Sequence, residues 1–164
     1  MFVGEAPGFN EDRQGIPFVG RAGERLNIWL DILGVPRDNA YIANVLKCRP
    51  PNNRDPHPVE VARCSAFLHA QIRAIQPKVL VALGRFAGNL LTGSEQLPLF
   101  RMRERVLTYR EAKHGTTAPV IVTYHPSYVL RQSGDAPPGK SKEDQLVLSD
   151  LRQAVGFLRA GRRP

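Results

Sequence analysis

The sequence predicts one α/β domain, a three-layer sandwich in which helices cover both faces of a central sheet. Short apolar runs alternate along the chain with longer stretches whose apolar residues recur at helical spacing. That alternation is typical of a mostly parallel sheet with helices on both faces. The 164 residues, 42% of them hydrophobic, suffice for one core and are too few for two ordinary domains.

Four apolar runs are predicted as buried strands, because each is short and ends at a polar residue or a glycine. They span residues 2–4, 40–45, 78–83 and 119–124. We therefore expect four strands, mostly parallel. The polar stretch before the last strand contains a candidate for an additional irregular hairpin at residues 106–109.

Four stretches carry apolar residues on one helical face, and the first three end at or before a glycine or a proline. They span residues 23–33, 59–75, 85–91 and 144–159. Glycines and prolines in residues 133–142 predict a mobile loop, and residues 160–164 are expected to be a frayed tail.

The charge of the chain favours an anionic partner. Lys and Arg number 23 against 15 Asp and Glu, a formal net charge of +8. Nucleic acid is the leading candidate, because neutralising phosphates releases counterions, and the alternative is a merely basic soluble protein. No apolar run approaches the roughly 20 residues of a membrane helix, and no leader is visible. We expect a cytoplasmic monomer without membrane contact.

Polar side chains follow the predicted strands at the edge where an open parallel sheet binds its ligands. Glu5 follows the first strand, Asn44 ends the second and His125 follows the fourth. A carboxylate, an amide and an imidazole at one rim suit proton handling and the reading of a polar heterocycle. A dinucleotide or ATP site is disfavoured, because Gly4-x-x-x-Gly8 is neither G-x-G-x-x-G nor a phosphate-binding loop.

Two loops near this rim admit two interpretations each. Phe18, within a loop of small residues, is either a stacking platform for a base or part of the core. The loop of residues 47–54, with Lys47, Arg49 and Arg54, is either a phosphate contact or a solvated basic loop.

Three motifs lie along the chain in order. They are Gly4-Glu5-Ala6-Pro7-Gly8 with Glu11-Asp12 and Gly15-x-Pro17-Phe18-Val19-Gly20-x-Ala22-Gly23; Asn44-Val45-x-Lys47-Cys48-Arg49-Pro50-Pro51-x-Asn53-Arg54; and His125-Pro126-Ser127-Tyr128-Val129-Leu130-Arg131. From residue 1 to about residue 131 the sequence thereby resembles the family-four uracil-DNA glycosylases. The resemblance implies a DNA-repair hydrolase that flips uracil out of DNA and cleaves its N-glycosidic bond, leaving an abasic site.

The resemblance also assigns roles. Phe18 stacks on the flipped base and Asn44 bonds its Watson–Crick edge. His125 donates to uracil O2, where negative charge develops, and Glu5 activates the water and stabilises the cationic sugar. The backbone around Gly4, Glu5 and Ala6 completes the implied base pocket. The resemblance implies DNA contacts from Arg49, Arg54, Ser127, Tyr128, Leu130 and Arg131. One of Tyr128, Val129 and Leu130 would fill the gap left by the base.

The family further implies a four-iron, four-sulfur cluster on four cysteines. Cys48 and Cys64 match two of them, and the C-x-x-C pair that precedes the first strand in the family is not in this sequence. Three explanations stay open: an N-terminally shortened chain, a cluster-free descendant or a degraded copy. The first explanation is favoured, because a strand of only three residues at the terminus is typical of a truncated strand. Zinc on Cys48, His57 and Cys64 lacks a standard ligand spacing.

Two other classes of function compete with the enzyme. One is a non-catalytic DNA-binding copy of the same fold, and the other is a nucleotide-binding α/β protein. Within the enzyme interpretation, Arg54 leads directly into the next helix without the basic insertion that some relatives use to trap DNA covalently, which favours turnover.

Overall fold

A computed structural model describes residues 1–94, 97–134 and 136–160. Its centre is a five-stranded sheet in the order β2-β1-β3-β5-β4. The strands are β1 (Phe2–Gly4), β2 (Ile42–Asn44), β3 (Leu80–Leu83), β4 (Leu107–Glu111) and β5 (Thr116–Thr123). Neighbours pair in parallel except β4, which runs antiparallel to β5. The predicted fold class is confirmed.

The predicted number of four strands is wrong by one. Residues 106–109 were expected to form at most an irregular hairpin, whereas β4 makes a regular ladder along β5. Its inward side chains alternate with outward ones, and only Tyr109 of the strand is fully buried. An edge strand with so little buried apolar surface has a weak sequence signal.

Seven helices cover the two faces of the sheet in the described residues. They are α1 (Phe9–Gln14), α2 (Arg21–Ile32), α3 (Pro58–Ile75), α4 (Arg85–Thr92), α5 (Leu99–Arg103), α6 (Pro126–Gln132) and α7 (Lys142–Ala160). Four of them are the predicted helices with small shifts of their ends, and α1, α5 and α6 were not predicted. None of the described helices is long and apolar enough to cross a membrane.

Successive residues of the strands point into two separate cores, which is what makes the three layers. Val3 packs with α3 and α4 residues such as Leu68 and Leu91, whereas its neighbour Phe2 packs with Trp29 of α2 and residues of α7. Burial on both faces explains why the parallel strands read as continuous apolar runs.

A buried polar network fastens α7 to α2 and to the end of α6. Asp144 accepts hydrogen bonds from Arg25 and from the indole of Trp29, and Arg25 also donates to Ser133. Ser141 caps α7 because its Oγ accepts the backbone N–H of Asp144, and the Asp144 carboxylate in turn accepts the N–H and the hydroxyl of Ser141. Both ends of the loop predicted as mobile are thus held, and its mobility stays a prediction. Asp135 within it and residues 161–164 of the predicted tail lie outside the described residues.

Candidate active site

A cleft of about 440 Å³ opens at the carboxyl ends of the parallel strands. Glu5, Phe18, Asn44 and His125, the four residues predicted to act on the base, all line it. Asn44 and Phe18 pack over Gly4, and Ala6 also lines the cleft. The sheet places these side chains together because β2, β1, β3 and β5 are parallel neighbours that end at one edge.

Phe18 is 5% exposed and forms one wall of the cleft. Its backbone has a positive φ of 56°, a conformation that few residues other than glycine adopt. The carbonyls of Pro17 and Phe18 accept hydrogen bonds from Arg37, and a Cβ added at Gly23 would collide with the Phe18 carbonyl. The ring therefore has a fixed place: it packs in the core and also faces the cleft, and its stacking on a base stays a prediction.

Glu11 ties the loop that carries Phe18 to the start of α1. Its carboxylate accepts the backbone N–H groups of Val19 and Gly20 at 2.9 and 2.8 Å. Although burial opposes the charge, hydrogen bonds from Gly20, from its own N–H, from Val19 and from Gly8 lower the pKa of Glu11. The carboxylate therefore stays ionised and holds the loop closed over the sheet.

Asn44 lies next to Phe18 with a free acceptor. The side chain is 6% exposed, and its Oδ1 is buried without a hydrogen-bond partner in the described part of the chain. A Cβ at Gly4 would collide with Asn44 Oδ1 and with the ring of Phe18, so only glycine lets both approach the strand. A buried acceptor without a partner is costly, and it marks a place where a ligand donor fits.

His125 faces the ring of Phe18, with the two ring centroids 5.8 Å apart. It is the N-cap residue of α6, and the backbone N–H of Ser127 donates to its Nδ1 at 3.1 Å. Nε2 therefore carries the proton of the neutral ring. Desolvation, assisted by the charge of Arg131 and opposed by Glu11, lowers the pKa of His125 to about 4.

Glu5 is half-buried in the cleft wall. Desolvation and the carboxylate of Asp55 raise the pKa of Glu5, while Arg85 and Arg131 act in the opposite direction. A carboxylate with a raised pKa is a stronger base than a solvated one, which suits it to proton transfer.

The predicted DNA contacts occupy different environments. Ser127, Arg131 and Arg54 line the cleft, but the guanidinium of Arg54 is also held by both oxygens of Glu60. Tyr128 is 37% exposed and rests on Tyr124 at 4.8 Å between centroids.

One prediction near these contacts is corrected. Val129 is completely buried because it faces the core side of α6, so it cannot fill a gap in DNA. Lys47, for which the sequence left a phosphate contact and a solvated loop open, donates to the Asn44 carbonyl and to Gln71, and so braces the end of β2.

Among the residues of the cleft wall to which sequence reasoning gave no role, three have polar side chains: Glu11, Asn53 and Asp55. Glu11 and Asn53 stood within the first two motifs, which was the available signal. Their roles depend on loop geometry, such as the positive φ of 51° at Asn53, that apolar periodicity does not report.

The two cysteines do not by themselves fit an iron–sulfur cluster. Cys48 is exposed, and Cys64 is partly buried against the core. No group of three or more His, Cys, Asp or Glu side chains in residues 1–94, 97–134 and 136–160 is arranged to hold a metal ion. A four-iron cluster takes four thiolates, and this sequence contains two cysteines.

Comparison with known proteins agrees with the geometry. The model of the family described as "Uracil DNA glycosylase superfamily" matches residues 1–152. The chain is 42% identical over 160 residues to the type-4 uracil-DNA glycosylase of Thermotoga maritima, covering 97% of this chain and 77% of that protein. It is 48% identical over 133 residues to the type-4 uracil-DNA glycosylase of Archaeoglobus fulgidus, covering 79% of this chain and 66% of that protein.

More distant similarity extends to the type-5 uracil-DNA glycosylase of Pyrobaculum aerophilum, at 32% identity over 142 residues, covering 77% of this chain and 60% of that protein. The chain thus spans only part of the length of each relative. The extent of the family match and the identity to the type-4 proteins lead to one conclusion: the chain belongs to the uracil DNA glycosylase superfamily, within its type-4 family.

Proposed function

We propose that this protein excises uracil from DNA by hydrolysing the N-glycosidic bond of a flipped deoxyuridine, which leaves an abasic site. The observation that carries the proposal is the cleft in which the ring of Phe18 and the side chains of Glu5 and His125 meet Asn44 Oδ1, a buried acceptor with no hydrogen-bond partner among the described residues. The membership in the family adds the substrate class.

Recognition of the base follows from the donors and acceptors of Asn44. The amide presents an acceptor to N3–H and a donor to O4 of uracil, and cytosine has the opposite pattern. Because Oδ1 is buried without a partner among the described residues, uracil would satisfy it, whereas cytosine would leave polar groups unpaired. Phe18 supplies the stacking surface beneath the base.

Departure of the base is assisted by a neutral imidazole. Cleavage leaves negative charge on uracil O2, and the Nε2–H of His125 would donate to that oxygen in the closed cleft. Because Nδ1 is occupied by the Ser127 N–H, the proton is on the nitrogen that remains for the ligand. A neutral donor with a low pKa stabilises the anion without becoming charged itself.

Glu5 would complete the reaction on the sugar side. Its carboxylate stabilises the oxocarbenium-like sugar and accepts a proton from the attacking water. Arg131 and Ser127, which line the cleft, and Arg49 would contact DNA phosphates, and the exposed Tyr128 or the partly exposed Leu130 would occupy the space of the flipped base. These steps use only side chains of this chain and no metal-bound group.

Release of free uracil from a single-uracil oligonucleotide tests the proposal directly. Glu5→Gln and Asn44→Ala should each lose most of the activity, while DNA affinity measured by fluorescence anisotropy stays close to that of the parent protein. Removing the donor with His125→Ala should slow single-turnover release by about 10²–10³-fold, the usual cost of an oxyanion donor. Full activity in Glu5→Gln or Asn44→Ala would refute the site, and salt-sensitive binding without release would favour the non-catalytic copy.

A further inference from the structure

Phe9 is an exposed aromatic residue on a helix that does not pack it into the core. More than half of the side chain, 54%, is exposed. It begins α1, a six-residue helix that buries none of its residues. A single exposed phenylalanine is common on protein surfaces, so what distinguishes Phe9 is the set of side chains around it.

Two guanidinium groups accompany this ring. Arg13 and Arg49 lie over Phe9 with their central carbons 5.6 and 5.2 Å from the ring centroid. Neither arginine forms an ion pair with a carboxylate in the part of the chain that the structure describes. The cluster of Phe9, Arg13 and Arg49, here named the Phe9 platform, therefore combines a π surface with two cations whose charges are free to meet phosphate.

The Phe9 platform lies at the rim of the cleft. Gly8, the residue before Phe9, and Pro50, the residue after Arg49, both line the cleft. Arg49 also donates to Oδ1 of Asn53 at 2.8 Å, and Asn53 is another lining residue. A DNA strand whose uracil occupies the cleft must carry its neighbouring nucleotides across this rim.

We propose that the Phe9 platform stacks the base of a nucleotide that flanks the uracil in the same strand, while Arg13 and Arg49 neutralise the adjacent phosphates. An aromatic ring beside cationic side chains is how sequence-tolerant sites hold unpaired bases. The inference rests on the proposed function, because it takes its ligand from the strand that delivers uracil to the cleft. It adds a binding subsite outside the base pocket.

The chain offers a matched control at Phe100. That ring is 52% exposed and lies under Arg101, 5.2 Å from the guanidinium carbon to the centroid. It differs in two respects that matter here: its arginine is paired with Glu104, and the sequence neighbours of the pair, Leu99 and Met102, do not line the cleft as Gly8 and Pro50 do. Phe100→Ala therefore removes an equally exposed aromatic residue without touching the subsite.

The experiment measures the affinity of single-stranded oligonucleotides that contain 2′-fluoro-deoxyuridine, which resists cleavage, by fluorescence anisotropy. In a series, each flanking nucleotide in turn is replaced by an abasic tetrahydrofuran. The parent protein should lose about five- to tenfold in affinity at one flanking position, the lower end for a base–aromatic stack. Phe9→Ala should bind the intact strand more weakly than the parent by the same factor. Replacing the flanking nucleotide by the abasic unit should then weaken the binding of Phe9→Ala no further. Phe9→Trp should restore the affinity, and Phe100→Ala should behave as the parent.

Three results would overturn the inference: binding of the intact strand by Phe9→Ala as tight as by the parent, an equal loss of affinity for every strand in the series, or a change in self-association alone, measured by sedimentation. Failure of the proposed function is a separate outcome, since it appears as no release of uracil by the parent protein from an ordinary deoxyuridine strand.

Discussion

His125 is built as a neutral hydrogen-bond donor, and this gives a pH prediction. Because its pKa is lowered to about 4, uracil release should show no inflection from this imidazole between pH 5 and 8. At lower pH the rate should fall first as Glu5, whose pKa is raised, gains a proton, and then through about 4, where the ring gains one. Single-turnover rates across this range, with an NMR titration of the ring, check the prediction. An inflection near 6.5 that disappears in His125→Asn would contradict it.

The same shift acts on stability. The unfolded chain binds the proton of His125 with a pKa of about 6.5, and the folded chain binds it only near 4. Acidification through that window therefore favours the unfolded state, and this contribution to stability is complete above pH 6.5.

Gly4 matters to the cleft because it has no side chain. In Gly4→Ala the added methyl group would displace both Asn44 and Phe18. A displacement of about 1 Å at the reacting groups can cost about 10²-fold in rate, and we expect a loss of that order in uracil release. The matched control is Gly156→Ala in α7, where an added Cβ meets nothing within 4 Å. Unchanged release by Gly4→Ala would show that the pocket accommodates the methyl group elsewhere.

At the scale of single residues, the sequence predicted the position of the main site residues but not their local conformations and contacts. Strand ends were visible as apolar runs, so Glu5, Asn44 and His125 could be placed at one edge before the structure was known. The positive φ of Phe18 and the orphaned Oδ1 of Asn44 depend on tertiary contacts, and no local pattern reports them.

The loop that carries Phe18 depends on one side chain of α1. In Glu11→Ala the N–H groups of Val19 and Gly20 lose their acceptor. Hydrogen bonds to charged groups contribute about 1.5–3 kcal/mol each when well buried, and partial exposure here argues for a total loss of about 1–2 kcal/mol. We expect a lower thermal midpoint and slower uracil release, with DNA binding retained.

Asp12→Ala is the matched control for this clamp, because Asp12 is the next residue, is exposed and accepts no such hydrogen bonds. The two variants should separate in both melting temperature and rate. If Glu11→Ala melts and reacts like Asp12→Ala, the clamp does not hold the loop.

Elements were predictable in proportion to the apolar surface they bury. The four predicted helices each bury a stripe of side chains, whereas α1 buries none and α5 buries only Met102. The α6 helix begins directly after His125 with a proline and was interpreted as a DNA-facing segment without a conformation. Short helices of this kind are specified by caps and by neighbours more than by periodicity.

The molecule as a whole is fastened by the ion pair between Arg25 and Asp144, which joins α2 to α7 across 119 positions of sequence. Asp144 is fully buried, so Asp144→Ala leaves a buried guanidinium without its partner. Breaking such a pair costs about 3–5 kcal/mol, and we expect that loss in chemical denaturation.

Replacing both partners, as in Arg25→Met with Asp144→Leu, should recover a large part of the stability, since no buried charge is then left alone. A single variant that unfolds at the same denaturant concentration as the parent would contradict the role of the pair. Activity of the folded double variant would show that the network stabilises the fold without acting in the cleft.

The strand order has a further consequence for the time at which the cleft comes into being. β1 lies inside the sheet between β2 and β3, and Phe2 pairs there with Ile42 and Val81; β5, which pairs with β3, lies still further along the chain. Contacts of such long range form late in folding, because they close long loops. Glu5 and His125 therefore come together only once β5 has docked on β3, and a chain that is folded only in part lacks a functional active site. Recovery of uracil release during refolding would report the final docking step.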